Sequence, residues 1–308
     1  MARPWRPRHF RAVANQPRRN LMTNTHQPRG KERRLERIID LPAPTPGQFG
    51  PAHTVVPVIS PEDYARSDPF ILLMDDRIDG KLQGGPHPHA GFETVTLVVK
   101  GGMVHDNGRL GERDVQWMTA GSGVIHGEGL EDAGHGRILQ LWLTLPKAQR
   151  WAPPSFQDIP YAQLPVRREP GVEVRLYSGS SGGVRSETKN YVPVTLAEFQ
   201  LEPGASIEQD LPASYNGFFY VLEGEISVGP DARTLRPGQV GWLDHPEAGG
   251  PGSIRITGTT RARALLYAGQ PQGDQLVSYG PFIGDTQADI MRVMGEYHSG
   301  RYGPPPRR

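Results

Sequence analysis

Two short segments of the chain carry side chains that bind transition metals. The first contains His87 and His89, and the second contains His126 and Glu128; within each pair the residues are two positions apart. Side chains at positions i and i+2 of a β-strand lie on the same face of the strand. If both segments are strands of one barrel, three imidazoles and one carboxylate meet at a single point. We therefore predict a metal site with these four ligands.

The donor types limit the choice of metal. Three imidazole nitrogens, one carboxylate oxygen and open coordination positions are typical of non-haem Fe(II), and Zn, Ni, Mn and Cu stay as alternatives. A six-coordinate ion with four protein ligands keeps two positions for a bidentate substrate, or for a substrate and O2. The chain has no cysteine, which excludes a thiolate zinc site, an iron–sulfur cluster and a cysteine nucleophile.

A single His-x-His pair is a weak signal, because exposed histidine pairs are common in loops. Here the two pairs occur together, about 37 residues apart and separated by strand-like sequence, and that combination is far more specific. We expect His105 to lie beside the ligands or in a turn, and His135 to lie in a solvated loop. We expect no metal at His245.

The segments that must position these residues are typical of β-strands. Runs of β-branched and aromatic residues are separated by turns rich in glycine and proline, of which the chain has 38 and 31. This pattern predicts an all-β fold of barrels or sandwiches. The clearest predicted strands are Thr94–Val99, Ile138–Leu143, Val194–Phe199 and Phe218–Leu222.

The second half of the chain repeats features of the first half. Gly238–Trp242 resembles Asp114–Trp117 at a spacing of about 125 residues, which indicates a duplicated unit. In the second unit, Ser214, Tyr215 and Asn216 occupy the place of the histidine pair, so we expect no metal there. We place the linker between the units at Lys147–Pro165.

One helix is predicted near the C-terminus. Asp285 or Thr286 caps its first turn and Gly300 ends it. Its apolar residues recur at helical spacing, which predicts a helix packed on the end of a barrel. These residues are Ile290, Val293, Met294 and Tyr297.

The first 34 residues carry a net charge of about +9, so the rest of the chain carries about −8 of the total of +1. This first segment has no apolar period, and we expect it to be a disordered basic extension; Met22 is an alternative start. An acidic body does not favour direct binding of nucleic acid. No apolar run approaches the ~18 residues of a membrane helix, and no secretory signal is evident. We therefore expect a soluble, cytoplasmic protein without membrane contact.

The content and order of seven segments resemble the pirin family of bicupins, within the cupin superfamily. The resemblance extends from about Arg34 to Gly303. The segments are Asp68–Phe70, Pro86–Thr96, Asp114–Gly121, Gly123–Glu128, Ala268–Pro271, Tyr279–Phe282 and Gly300–Gly303.

The resemblance implies two stacked cupin barrels, of the double-stranded β-helix type, and a short C-terminal helix. We expect an extension over residues 1–34, a metal-binding barrel over 35–150, and a metal-free barrel with the helix over 151–303. It also implies His87, His89, His126 and Glu128 as ligands. Glu93 stands where many other cupins have a carboxylate ligand, but in pirin-like proteins it is not one.

One segment departs from the family pattern. The loop from Gly108 to Arg113 is shorter than usual, and Glu112-Arg113 replaces the usual Pro-Gly before Asp114. We expect this change to affect the rim of the metal site and not its ligands.

The resemblance implies two functions of different classes. The first is a dioxygenase, similar to quercetin 2,3-dioxygenase, that acts on O2 and a flavonol chelating one iron ion. Glu128 would then accept the flavonol's hydroxyl proton. Phe92, Trp117 and Met118 would supply apolar walls, although we expect at least two of these three to pack in the core. The second is a non-enzymatic iron-binding or redox-sensing regulator that contacts a transcription factor or a metabolic enzyme. In both cases the family resemblance favours a monomer.

Overall fold

The computed structural model of the chain describes residues 30–48, 50–80, 83–106, 108–130 and 134–304. The expected disorder of the basic extension concerns residues 1–34, of which 1–29 lie outside the described residues. The described part is almost entirely β-structure, with the two α-helices α1 (Tyr64–Ser67) and α2 (Gln287–His298). Short 3-10 turns lie at Pro61–Asp63, Lys147–Gln149 and Tyr161–Gln163.

Thirteen strands lie in the first half of the described chain. They are β1 (Lys31–Glu32), β2 (Leu35–Asp40), β3 (Thr45–Pro46), β4 (His53–Ile59), β5 (Phe70–Gly80), β6 (Gln83–His89), β7 (Phe92–Lys100), β8 (Met103–His105), β9 (Gly108–Leu110), β10 (Val115–Thr119), β11 (Val124–Leu130), β12 (Gly134–Thr144) and β13 (Ser155–Ile159).

Fourteen strands follow in the second half of the described chain. They are β14 (Val166–Glu169), β15 (Val172–Ser178), β16 (Ser180–Ser181), β17 (Val184–Arg185), β18 (Val194–Leu201), β19 (Ser206–Asp210), β20 (Asn216–Glu223), β21 (Ile226–Val228), β22 (Arg233–Leu235), β23 (Gln239–Leu243), β24 (Gly252–Gly258), β25 (Ala262–Gly269), β26 (Val277–Tyr279) and β27 (Phe282–Gly284).

Four sheets form two barrels. The N-terminal barrel consists of a seven-stranded sheet in the order β13-β10-β7-β12-β5-β4-β3 and a four-stranded sheet in the order β6-β11-β8-β9. The C-terminal barrel consists of a seven-stranded sheet in the order β14-β15-β18-β25-β20-β23-β2 and a sheet that contains β1, β24, β21, β22 and β19. The predicted all-β fold with two barrels is confirmed.

The two seven-stranded sheets pack face to face and form the largest hydrophobic core. On β7, Val95, Leu97 and Val99 contact the opposite sheet, whereas Val98 packs inside its own barrel. β7 and β20 are therefore buried on both faces, except at their last residues. Double-sided burial explains why these strands appear in the sequence as continuous apolar runs and do not alternate with polar residues.

The local predictions are confirmed with slightly longer elements. The four predicted strands correspond to β7, β12, β18 and β20. Helix α2 has Thr286 as its N-cap, and the side chains of Thr286 and Asp289 form a reciprocal capping box. The face of α2 that carries Ile290 and Val293 is buried against the N-terminal barrel.

The predicted domain boundaries differ from the structure at the N-terminal side. β1 pairs with β24 and β2 pairs with β23, so residues 31–40 belong to the C-terminal barrel and not to an extension or the N-terminal barrel. Arg33 is fully buried there, and its guanidinium donates to Asp244 and to three backbone carbonyls of residues 212–215. Charge composition alone could not distinguish this anchored arginine from its solvated neighbours.

The boundaries also differ at the other end of each barrel. β13 lies inside the predicted linker, but it pairs with β10 and completes the sheet of the N-terminal barrel. The segment after β25 returns to the N-terminal barrel, where Phe282 forms a β-bridge with Ala90. Each barrel is thus completed by a segment from the opposite end of the chain.

Replacing Arg33 tests whether the N-terminal arm is anchored. We expect Arg33→Ala to lower the free energy of unfolding by about 3 kcal/mol, because it leaves Asp244 and the carbonyls without their donor. Arg34→Ala is the matched control, since this side chain is 55% exposed; its change should stay within about 0.5 kcal/mol. Urea unfolding of both variants gives the comparison. Equal effects of the two substitutions would contradict this account of the arm.

Candidate metal centre

The predicted ligand segments are neighbouring antiparallel strands. β6 pairs with β11 so that His87 lies directly opposite His126 and His89 lies opposite Val124. β6 is the edge strand of its sheet. An edge strand tolerates Pro86 and Pro88, which have no N–H to donate to a second neighbour. The alternation of proline and histidine thus places both imidazoles on one face of β6.

The structure brings the three histidines together. Their ring centroids lie 4.4 Å apart for His87 and His126, 4.8 Å for His87 and His89, and 5.0 Å for His89 and His126. One ring nitrogen of each residue lies within 4.8 Å of the others. His89 and His126 are buried and His87 is partly exposed. The cluster therefore opens toward solvent on the side of His87.

Glu128 lies next to this cluster but does not belong to its most compact part. Its Oε1 is 3.5 Å from Nδ1 of His126, and its side chain is 19% exposed. The pairing of β11 with β6 is irregular between His126 and Glu128, where β6 contains one extra residue. Among the described residues, the group with mutually close ligand atoms consists of the three histidines. The role of Glu128 as a fourth ligand therefore stays a prediction.

The hydrogen bonding of these residues fits a bound cation. Nδ1 of His87 lies 3.0 Å from the carbonyl oxygen of Gly85. Because a carbonyl oxygen can only accept a hydrogen bond, Nδ1 carries the proton in neutral His87. The lone pair of Nε2 is then available to a metal. Within the described chain, Nδ1 of His89, Nε2 of His126 and Oε1 of Glu128 are buried without a hydrogen-bond partner. Most buried polar atoms have a hydrogen-bond partner, and a cation bound among these three atoms would supply the missing interaction.

Burial keeps the imidazoles of His89 and His126 neutral. Burial, reinforced by the neighbouring imidazoles, lowers the pKa of His89 well below its usual value and that of His126 to about 3. Burial, with the charges of Asp76 and Asp106, raises the pKa of Glu128 to about 7. Neutral imidazole is the form that binds metals, and a cation would favour the ionised form of Glu128.

An aromatic wall adjoins the cluster. The rings of Phe92 and Trp142 lie 5.3 and 5.6 Å from the ring of His89 and 4.3 Å from each other. Phe92 thus lies where the sequence analysis placed it. Trp142 was missed, although its alternation with Leu141 and Leu143 on β12 could have indicated that it faces the barrel interior.

The other two expected wall residues have different surroundings. Trp117 belongs to the core between the two large sheets. Met118 packs with Ala120, Val124 and Phe156 inside the N-terminal barrel. Neither belongs to the aromatic group around His89, which agrees with the expectation that at least two of the three residues pack in the core.

Glu93, His135 and His245 lie apart from the cluster of ligand atoms. Glu93 is fully buried and accepts a hydrogen bond from the hydroxyl of Thr119 at 2.7 Å. His135 lies on β12 rather than in a loop, with a side chain that is 74% exposed and paired with Asp79. His245 is 79% exposed and lies near Glu36.

His105 lies on β8 directly opposite Glu128 of β11. Its ring is in hydrogen-bond contact with the side-chain amide of Gln116, which also donates to Asp158 at 3.1 Å. This polar group inside the barrel was not predicted as a unit. Its three members lie on three different strands, so no sequence spacing connects them.

The loop that departs from the family pattern contacts the second barrel. Arg113 adopts a φ of 71°, a conformation that favours glycine. Its guanidinium donates to Tyr161 at 2.7 Å and lies 3.6 Å from Glu198. The arginine thus contacts residues beyond the N-terminal barrel, and the expected effect of the loop on the rim of the metal site stays a prediction.

The C-terminal barrel has a different interior. Its core is filled by aliphatic and aromatic side chains, among them Phe199 and Phe219. Asn216, at the end where the first barrel has its histidines, donates to the backbone carbonyls of Arg66 and Asp68. In this position the side chain connects the two barrels.

Two barrels of this type, with a histidine cluster inside the first, define a bicupin. The family model described as Pirin matches residues 52–143, and the one described as the Pirin C-terminal cupin domain matches residues 196–303. Pirin-like protein 2 of Arabidopsis thaliana is 34% identical over 254 residues, which cover 80% of this chain and 78% of that protein. The chain belongs to the pirin family.

Solved structures agree with this assignment. The crystal structure of GK1651 from Geobacillus kaustophilus shares 39% identity and covers 80% of this chain and 99% of its own, with a TM-score of 0.73. Quercetin 2,3-dioxygenase from Acinetobacter baumannii shares 26% identity and covers 89% of this chain and 99% of its own, with a TM-score of 0.78. Among the described residues, no helix is long and apolar enough to cross a membrane.

The raised pKa of Glu128 provides a test of its role as a ligand. Below about pH 7 the metal-free carboxyl keeps its proton, and a cation that binds the carboxylate must displace that proton. At pH 6 we expect wild type to release nearly one more proton per Co(II) bound than Glu128→Gln does. We also expect the affinity of wild type for Co(II) to fall as the pH is lowered below about 7. Calorimetry in buffers of different ionisation enthalpy measures the difference. Equal proton release would show that Glu128 is not a ligand.

Removing one imidazole should separate metal binding from folding. We expect His87→Ala to weaken Co(II) binding by at least about 100-fold, since even partners of metal ligands contribute 10- to 100-fold. The variant should stay folded at room temperature, because the side chain is partly exposed and the packed sheets provide most of the stability. Circular dichroism and metal titration measure both properties. Unfolding of the metal-free variant at room temperature would contradict this prediction.

Proposed function

We propose that this protein is a metal-dependent dioxygenase that acts on flavonols such as quercetin. The observation that carries the proposal is the cluster of three imidazoles beside a carboxyl group and an aromatic wall; within the described chain, His89 and His126 each have a buried ring nitrogen without a hydrogen-bond partner. The likeness to quercetin 2,3-dioxygenase from Acinetobacter baumannii, at 26% identity over nearly the whole of that chain, supports the same reaction class.

His87, His89, His126 and Glu128 would hold one divalent ion, with Fe(II) favoured by the donor set and Zn, Ni, Mn or Cu as alternatives. When bound, such an ion lowers the pKa of a coordinated hydroxyl group and orients the reactants. The neutral state of the two buried imidazoles suits this task, because neither has to lose a proton near neutral pH.

Glu128 is the residue that we assign to proton transfer. When its carboxylate is released from the ion, its pKa of about 7 places it in the range where a carboxylate can accept a proton and return it. In the proposed reaction it accepts the proton of the 3-hydroxyl group of the flavonol. Burial and the charges of Asp76 and Asp106 raise this pKa, so in the metal-free protein the carboxylate is a stronger base than an ordinary glutamate.

The aromatic wall accounts for the class of substrate. The rings of Phe92 and Trp142 lie within van der Waals range of each other and adjoin His89. A flat aromatic ligand can pack against such a surface while its polar edge faces the histidines. In this proposal the substrate reaches the metal site from the side of the cluster where His87 is partly exposed.

The test is loss of the visible absorbance of quercetin in air. We expect the iron-loaded wild type to consume the flavonol, and His89→Ala to be slower by at least about 100-fold, because it loses a buried ligand. His135→Ala is the matched control, since this histidine is exposed and lies outside the cluster. It should retain the rate of wild type.

Two outcomes would overturn the dioxygenase proposal. One is consumption no faster than that caused by free iron, and the other is equal activity of wild type and His89→Ala. A wild type that binds iron tightly at these histidines without consuming flavonols would favour the alternative function, an iron-binding or redox-sensing regulatory protein.

A further inference from the structure

The last described residues of the chain lie against the strands that carry the ligands. We call residues 277–304 the C-terminal segment; it contains β26, β27, α2 and an extended end. Ala90, which follows the ligand His89, donates its N–H to Pro281 at 3.2 Å and accepts from the N–H of Ile283 at 2.9 Å. The C-terminal segment thus fixes the backbone on one side of His89.

The same segment also contacts the second ligand strand. Ile125 precedes His126 and donates its N–H to the carbonyl oxygen of Gly303 at 3.0 Å. β8 pairs with β11 only from Glu128 to Leu130, so Gly303 occupies the neighbouring position where β8 does not reach. On the other side, Ile125 lies opposite Pro88 of β6. Proline has no N–H group, so Pro88 cannot donate a backbone hydrogen bond to Ile125.

Tyr302 holds this extended end in place. Its side chain is 92% buried, and its hydroxyl donates to the carbonyl of Val293 in α2 at 3.0 Å. Its ring packs so closely on Gly123 that a Cβ there would lie 2.2 Å from the ring. Gly123 also has a φ of +123°, which side chains rarely adopt. The ring therefore connects α2 with the start of β11.

We propose that Tyr302 is a positioning residue of the metal centre. By fixing Gly303 against Ile125, it orders the backbone beside His126, and through α2 and β27 it supports the backbone beside His89. Ligands held in their bound orientation lose less conformational entropy when a metal binds. Without this tyrosine the end of the chain leaves β11, and the imidazoles must be ordered by the metal itself. The inference rests on the metal site of the proposed function, but not on the flavonol reaction.

The experiment compares four substitutions in the full chain with wild type. Tyr302→Ala removes the ring and the hydroxyl, Tyr302→Phe removes the hydroxyl only, and Tyr302→Leu keeps apolar contact with α2. Tyr279→Ala is the matched control, because Tyr279 lies in the same segment but is 62% exposed. The probe is Co(II), titrated against a competing chelator, and the visible absorption of the bound ion reports its coordination.

We expect Tyr302→Ala and Tyr302→Leu to bind Co(II) at least about tenfold more weakly than wild type, within the range seen when partners of metal ligands are removed, and to change its visible spectrum. Tyr302→Phe should restore the affinity to within about threefold. Tyr279→Ala should match wild type in both measurements. Tyr302→Leu decides the result if Tyr302→Ala fails to fold.

The possible failures are distinguishable. Wild-type affinity and spectrum in Tyr302→Leu, or an equal loss in Tyr279→Ala, would overturn the positioning role while leaving the metal centre intact. Absence of Co(II) binding by wild type would overturn the metal centre and this inference together. A wild type that binds Co(II) but, when loaded with iron, does not consume quercetin would refute only the dioxygenase activity.

Discussion

The pairing of β6 with β11 is the constraint on which the metal centre depends. His87 lies opposite His126, and His89 lies two residues further along the same face of β6. Pairing of the two strands therefore brings the three rings close together. The barrel around them removes water, so protonation of the buried imidazoles is strongly disfavoured. Within the described chain, the buried ring nitrogens His89 Nδ1 and His126 Nε2 have no hydrogen-bond partner, and a divalent cation held by the three imidazoles would satisfy them.

The rest of the architecture holds this pair of strands in place. The seven-stranded sheets of the two barrels share one apolar core, so the second barrel supports the back of the sheet that carries the aromatic wall. Residues 31–40 pair with strands of the C-terminal barrel. In the opposite direction, the C-terminal segment bonds to the N-terminal barrel, next to the ends of β6 and β11. The interior of the second barrel is filled by apolar side chains.

Much of this could be predicted from the sequence because the relevant signals are local. Strand runs such as that of β7, the capping residue Thr286 and the spacing within each histidine pair all depend on neighbouring residues. What could not be predicted depends on contacts between distant segments. The burial of Arg33, the group formed by His105, Gln116 and Asp158, and the contact of Tyr302 with Gly123 each join elements that no spacing rule relates. Trp142 lies between these cases, since its strand was predicted but its face was not assigned.

The most direct test of the central claim is the anomalous diffraction of a crystal of the cobalt-loaded protein. The account predicts one strong peak in the N-terminal barrel, about 2 Å from a ring nitrogen of each of His87, His89 and His126. A crystal without bound cobalt, or a peak at another place in the chain with these three imidazoles uncoordinated, would contradict it.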